Sequence, residues 1–520
     1  MANVLVTGAT GYVGGRLVPE LIAAGHDVTC VVRRPERLRD YPWVRQVRVR
    51  AGDVTDAEAM RRALSGAKVA YYLVHSMGGG RRFAERDRWA AMAFAEAADA
   101  VGVGRIVYLG GLTRSREKLS AHMASRGEVG DIFLRARTPA VVLRAAMIIG
   151  SGSASFEMLR YLTERLPVMT TPKWVSSPTQ PIAIRDTLRY LVGWASVPGT
   201  VNRAFDIGGP DVLTYGEMMR RYAAAAGLPQ RVIIPVPVLT PWLSSQWVGL
   251  VTPVPANIAR PLVESLRHEA VCTEHDISQY VPDPPDGLID FDEAVRLALR
   301  RVKQADVATR WSSASTPGAP SDPLPTDPAW AGGSLYTDER TREVAAPPGA
   351  VWRVITGIGG ANGWYSLPTA WRIRGLIDRL MGGVGLRRGR RDPDRLRVGD
   401  TVDFWRVEEI QPGRLLRLRA EMRLPGLAWL ELSAEPGREP GRTVYRQRAL
   451  FHPHGLLGHL YWLSIAPFHR LIFGRMPGNI ARAAQARSAR TTGTHVTRAN
   501  REAPSAPDRT GQPSGTAPQP

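Results

Sequence analysis

Two cysteines, Cys30 and Cys272, stand in 520 residues. Two thiols cannot build a disulfide framework, and Met1-Ala2-Asn3 runs into the strand-like Val4-Leu5-Val6 with no apolar leader. The expectation is a reducing compartment, with the cytoplasm as the default. Long hydrophobic runs are missing too, because no window reaches the roughly 18 to 20 unbroken apolar residues of a membrane span. Two segments approach it. Val232 to Ile258 carries no charge, but Pro235, Pro237, Pro241, Pro253 and Pro255 would break a lipid-exposed helix. Leu456 to Phe473 is apolar and aromatic yet includes His459, His469 and Arg470. Both read as walls of an apolar pocket, as ordinary packing, or as surfaces resting on a membrane, which keeps peripheral membrane association open beside a cytoplasmic location. Metal spacing is also lacking: His452 and His454 are two apart beside Pro453, and no metal is expected. Neither zinc-finger spacing nor an aromatic-basic ribonucleoprotein motif is present, so no specific nucleic-acid partner is expected. The formal charge is nevertheless +20. Its arginines are scattered, with clusters at Arg33-Arg34 and from Arg387 to Arg397. They permit non-specific attraction to anions and read equally well as solvated faces.

What is present begins at residue 7. Thr7-Gly8-Ala9-Thr10-Gly11-Tyr12-Val13-Gly14 follows an apolar strand and precedes the helical run Arg16 to Ala24. In that order Gly8 allows a tight turn, Gly11 lets the backbone approach a pyrophosphate, and Gly14 lets the helix pack against the strand, with the helix N–H groups facing phosphate charge. Thr10, Tyr12 and Val13 complete the cofactor turn. Strand-like runs then recur at Asn3–Thr7, Val28–Val32, Val47–Ala51, Val69–Val74, Arg105–Leu109 and Val141–Arg144, alternating with helical stretches. Such alternation predicts an α/β fold, a doubly wound parallel Rossmann sheet with ligand at the carboxyl ends of its strands.

The expected organisation is a dinucleotide domain with a substrate-side cap over 1–303, the cap mainly from 150 onward, and a Pro/Ser-rich linker over 304–333. A separate α+β unit follows over 334–482, then a disordered polar tail over 483–520. In the second unit Leu416, Leu418, Ala420 and Met422 alternate with Arg417, Arg419 and Glu421, the period-two pattern of an antiparallel sheet with one covered face. An apolar helix at about 456–473 would lie over that face.

In these residues the first 303 positions resemble the atypical and extended short-chain dehydrogenases, including the NmrA-like and complex I accessory-subunit-like branches. The resemblance rests on the glycine turn and on Gly52-Asp53-Val54, where the family holds adenine. It rests also on Arg144 to Gly150, similar to the strand and turn closing the nicotinamide site, and on Asn202 to Gly209 before Leu213-Thr214. Residues 334–480 resemble a domain of unknown function, itself similar to helix-grip, START-like folds, which implies a cavity for an apolar ligand. The landmarks are Gly359 to Tyr365, Gly382 to Arg391, Asp403 to Arg406 and Tyr461-Trp462.

Where acidic residues would favour NAD, the second strand ends in Arg33 and Arg34, whose guanidinium forks suit the 2′-phosphate of NADP; NAD stays the alternative cofactor. His75, after the fourth strand, stands where the family lines the nicotinamide ribose. The family's serine after the fifth strand is replaced by Gly110-Gly111, and its Tyr-x-x-x-Lys by His122-x-x-x-Arg126. Residues four apart share a helical face, so both side chains can address the nicotinamide. Arginine holds a hydroxyl or an anion but lends no proton at neutral pH. His122 has two readings, a general acid with pKa near neutrality or a structural, cofactor-contacting histidine. The expected activity is NADPH-dependent hydride transfer to a bulky apolar carbonyl or quinone-like substrate. The alternatives are a non-catalytic NADP-binding sensor or scaffold, and a lipid- or isoprenoid-binding protein of membrane surfaces.

Overall fold

Seven strands, apolar at the centre and carrying charges at the two edges, join into one parallel sheet in the computed structural model, which describes residues 1–74, 83–112, 119–236, 251–266, 268–303, 333–360, 363–366, 396–422 and 424–499. The strands are β1 (Asn3–Thr7), β2 (Asp27–Val32), β3 (Arg48–Ala51), β4 (Val69–Tyr72), β5 (Arg105–Gly111), β6 (Ala140–Ala145) and β7 (Arg203–Ile207). Their order is β7-β6-β5-β4-β1-β2-β3, every pair parallel. The chain reverses its direction of strand addition between β1 and β4, which puts the crevice for a ligand at their carboxyl ends. Valine-rich strands without polar alternation, such as Val4-Leu5-Val6, are buried on both faces by helices. Those helices are α1 (Tyr12–Ala23), α2 (Ala57–Leu64), α3 (Phe83–Val101) and α4 (Ala121–Arg135).

A second apolar core follows β6. It is built from α5 (Ala154–Arg165), α7 (Tyr215–Ala226), α8 (Ala256–Ser265) and α9 (Phe291–Lys303), with α6 (Ile184–Gly193) packed back against α1. Thr214 opens α7 with a capping box, accepting from Glu217 N while Glu217 accepts from Thr214 N. Beneath this cap Arg160 is completely buried between Glu157 and Glu164. The Tyr222 hydroxyl donates to Glu164 at 2.6 Å, and Glu157 accepts from Gly152 N at 2.9 Å and from Gly333 N at 3.2 Å.

Contacts divide the chain into two units, residues 1–334 and 335–520. In the second, β8 (Tyr336–Val344), β9 (Thr401–Val402), β10 (Trp405–Gln411), β11 (Leu415–Ala420), β12 (Gly426–Pro436) and β13 (Thr443–Pro453) form an antiparallel sheet in the order β8-β13-β12-β11-β10-β9. One face packs on α10 (Pro348–Thr356) and the long α11 (Gly455–Ala499) around Leu416, Leu418, Leu430, Leu432, Met476 and Ile480. β8 was not expected as a strand because Asp338, Glu339, Arg340, Arg342 and Glu343 hide its pattern; those charges suit a sheet edge, where they oppose pairing with another chain. The tail expectation also needs correction. Residues 483–499 continue α11, and Ala484 is still fully buried in the core, so composition alone misreads a helix whose inner face is alanine. Among the described residues no helix is long and apolar enough to cross a membrane.

Candidate functional site

The glycine turn after β1 is held against β4 by Thr7, whose hydroxyl donates to Tyr71 O at 3.0 Å and accepts from Leu73 N at 3.4 Å. Gly8 follows at φ +76°, and a Cβ there would lie 2.5 Å from Leu73 O. Gly11 N closes the turn on Gly8 O at 2.8 Å, and a Cβ on Gly14 would meet that same oxygen at 2.3 Å. The three glycines therefore let α1 start directly over the strand end. Gly11 is its N-cap, with no capping side chain and no acidic residue in the first turn. The opening turn thus carries no side chain that competes with an anion at the helix N-terminus, the arrangement that suits a pyrophosphate. Arg16, buried under the turn, lies 4.3 Å from the Tyr12 ring centroid and donates to Tyr12 O at 3.1 Å, fixing a ring at the edge of the site.

Toward the adenosine side, Arg33 and Arg34 directly follow β2 and are both exposed. Asp53 follows β3 after Gly52. It accepts from Thr55 N at 3.0 Å and Thr55 Oγ1 at 2.9 Å, both through Oδ1. Burial raises its pKa, but the Thr55 bonds and the charges of Arg33 and Arg86 outweigh it and hold the carboxyl below its ordinary range. Arg86, on the first turn of α3, is a cation of this corner that sequence reading missed; it precedes no motif and meets Asp53 only through the fold. Val54 packs against the neighbouring core. His75 lies outside the described residues.

A cavity of about 460 Å³ runs from Thr10–Gly14 past the ends of β4, β5 and β6 to the cap. That is within the usual range of small-molecule sites. His122 and Arg126 both line it, one turn apart on α4, whose N-terminus is capped by Ser120 accepting from Met123 N. Arg126 Nη2 donates to Leu109 O at 2.9 Å, and the Arg126 carbonyl accepts from the Tyr108 hydroxyl at 3.2 Å. The guanidinium thus lies over the glycines ending β5: a Cβ on Gly111 would be 3.6 Å from Arg126 Nε. That Nε is buried without a hydrogen-bond partner, a donor available to an oxygen in the cavity.

His122 behaves differently from the general-acid reading. It is 8% exposed, and burial, reinforced by the charge of Arg126, lowers its pKa to about 4. The ring is neutral at pH 7 and holds no spare proton, so it can orient or hydrogen-bond a group but cannot act as an imidazolium acid. The far wall comes from the cap: Met147, Met158, Tyr215, Ile258, Leu262 and Leu266, with Ser177, Thr179 and His268 as polar points. Met147 and Ile258 lie in segments that the sequence had pointed to, the closing turn and the charge-free run; the others were not marked, because they arise on separate elements with no common spacing. The arginine-glycine stretch of 382–395 lies outside the described residues, and Arg397 beyond it is exposed.

Residues 8–146 match a family described as NAD(P)H-binding, and residues 330–476 match a protein family of unknown function, DUF2867. Over 256 residues the chain is 29% identical to a chloroplastic divinyl chlorophyllide a 8-vinyl-reductase of Oryza sativa subsp. indica, covering 46% of this chain and 62% of that protein. Over 240 residues it is 31% identical to a ceramide reductase of Caulobacter vibrioides, covering 44% of this chain and 72% of that one. Among solved structures, a Citrobacter sp. triphenylmethane reductase complexed with NADP(H) aligns over 57% of this chain and 100% of its own at 19% identity, TM-score 0.46. An NADPH-dependent quinone oxidoreductase of Escherichia coli complexed with NADPH aligns over 56% and 98% at 18% identity, TM-score 0.46. With a glycine turn shaped for a pyrophosphate, an NAD(P)H-binding match and a reductase shared over most of its length, the chain belongs to the NAD(P)H-binding, NmrA-like atypical short-chain dehydrogenase family.

Proposed function

We propose that the protein is an NADPH-dependent reductase that passes hydride to a bulky apolar acceptor, a carbonyl or quinone-like compound, held in the cavity of the first unit. The carrying observation is continuity: one cavity joins the anion-ready start of α1 to an apolar far wall, with Arg126 between them. NADPH would supply the hydride when bound, with Gly8 to Gly14 along the pyrophosphate, Asp53 and Val54 at the adenine, and Arg33 and Arg34 toward the 2′-phosphate. The two exposed arginines at the end of β2, and the lack of a carboxylate there, support NADP over NAD. Arg126 offers its unpartnered Nε–H to the oxygen on which negative charge develops, without giving up the proton. Met147, Met158 and Leu262 exclude water from the acceptor. The names of the matched proteins suggest an acceptor panel, each compound in the oxidised form that NADPH can reduce: a divinyl chlorophyllide, a keto-ceramide and a 3-ketosteroid.

Steady-state loss of NADPH absorbance with that panel and with simple quinones tests the reading. Wild type should turn over at least one acceptor, and Arg126→Ala should slow it by about 10²-fold or more, the usual effect of losing an oxyanion donor. Tight NADPH binding with no turnover on any acceptor would leave the second reading, a cofactor-binding sensor. That reading draws on the neutral His122 and on the lack of the family's tyrosine and lysine. For the second unit, the antiparallel sheet closed by the long α11 supports the helix-grip reading.

A further inference from the structure

α11 is apolar on its outer face over its first turns and on its inner face farther along. Phe473, Met476, Ile480 and Ala484 follow the inner face into the core of the second unit. On the outer face Leu456, Leu457, Leu460 and Leu463 are 38%, 72%, 52% and 64% exposed. At about 3.6 residues per turn, Leu456, Leu460 and Leu463 stack in one stripe, with Leu457 flanking it. Four large aliphatic side chains in eight residues form a contiguous patch, unlike single exposed leucines, which need no explanation. The half-buried Tyr461 borders the stripe, and Trp462 is stacked beside it between Tyr336 and Phe451. Aromatic rings of this kind favour the boundary between hydrocarbon and water.

Charge decides what could cover the patch. All 45 residues of α11 include six arginines, three histidines and no carboxylate. Arg475 and Arg482 are exposed and, by helical phase, continue the side of the helix that carries the leucines. Residues 335–520 as a whole contain 29 arginines, no lysine and 16 carboxylates. A leucine stripe leading into an arginine-bearing face on a helix without negative charge fits an interfacial helix, apolar side down and cations among phosphates.

We propose that α11 docks the second unit on an anionic lipid surface, the leucine stripe entering the acyl boundary and the arginines pairing with headgroup phosphates. Flotation of the full chain with vesicles of phosphatidylglycerol and phosphatidylcholine, and with phosphatidylcholine alone, tests it. The chain floats with the anionic vesicles, and the bound fraction falls severalfold in high salt as the charges are screened. The triple variant Leu457→Glu, Leu460→Glu, Leu463→Glu lowers vesicle affinity at least ~10-fold; unchanged circular-dichroism melting shows that it is folded. Should that variant unfold, the single Leu457→Ser, at the most exposed of the four, must still weaken binding severalfold. Wild type remaining unbound, or either folded variant floating like wild type, overturns the proposal. So does a dimer of the chain that the same variants dissociate, since the stripe would then be an interface between copies.

Discussion

Replacing Gly14 with alanine adds one methyl group at the point where the cofactor turn is tightest. The new Cβ would stand 2.3 Å from Gly8 O and 2.8 Å from Gly8 C, where ordinary contact begins at 3.4 Å. Both neighbours are backbone, so neither can rotate away, and α1 must withdraw from β1 by about 1 Å. Overpacking of this kind costs about 1–3 kcal/mol of stability. The larger effect falls on the ligand. The N–H groups opening α1 lose their aim at the pyrophosphate, and hydrogen bonds to charged groups contribute about 1.5–3 kcal/mol each. Losing one raises the NADPH Kd by about 10- to 100-fold, since 1.4 kcal/mol is tenfold. Fluorescence titration of NADPH, alongside a thermal melt, measures both. Gly127→Ala is the control: it is an exposed glycine inside α4 with nothing within 4 Å of an added Cβ. It should stabilise the protein by about 0.5–1 kcal/mol and leave the Kd unchanged. Gly14→Ala binding NADPH within twofold of wild type would refute the steric account of the turn.

Arg33→Ser with Arg34→Ser should weaken NADPH binding about 10- to 100-fold while leaving NADH within twofold, read by parallel titrations. Arg160→Met takes the cation from between two buried carboxylates; by analogy with broken buried pairs it should cost about 3–5 kcal/mol in urea unfolding, and a loss under 1 kcal/mol would mean that the cluster is dispensable. For His122 the folded pKa of about 4 lies below the ordinary 6.5, so the unfolded chain takes up the proton first. Its contribution is therefore complete above pH 6.5 and is lost as pH falls toward 4, at most about 3 kcal/mol. Unfolding free energies across that range should rise with pH in wild type and flatten in His122→Gln.

The glycine turn was legible in the sequence because each glycine answers a local demand: a positive φ at Gly8, a backbone approach at Gly14. The central strand runs were legible for a similar reason, since strands such as β1 and β4 are buried on both faces and apolar along most of their length, whereas the edge strands β3 and β7 carry Arg48, Arg50, Arg203 and Asp206. Spacing also placed His122 and Arg126 on one side of a helix, and both line the cavity. It could not supply the state of His122, which depends on burial assembled from α4 and the cap. The far wall was legible only in part: Met147 lies in the stretch that resembles the closing turn, but Met158, Tyr215 and Leu262 converge from three elements distant in sequence. β8 escaped notice because an edge strand carries charges that mask its period. The continuation of α11 past residue 482 was hidden by its polar composition: Gln485 and Arg487 are exposed, while the inner face is held by the small side chain of Ala484. In the Arg160 cluster, Glu157, Arg160 and Glu164 stand at spacings that resemble a solvated helix face; only Tyr222 and Gly333, brought in from afar, make it a buried one.

Mass spectrometry of the product formed with NADPH deuterated at nicotinamide C4 tests the central claim most directly. Full-length protein, the acceptor that best consumes NADPH and each of the two C4-labelled epimers are needed. Hydride transfer within the cavity predicts a product one mass unit heavier from one epimer and unlabelled from the other, with the yield falling in Arg126→Ala. Deuterium retained on the nicotinamide from both epimers, or label lost to water, would contradict it.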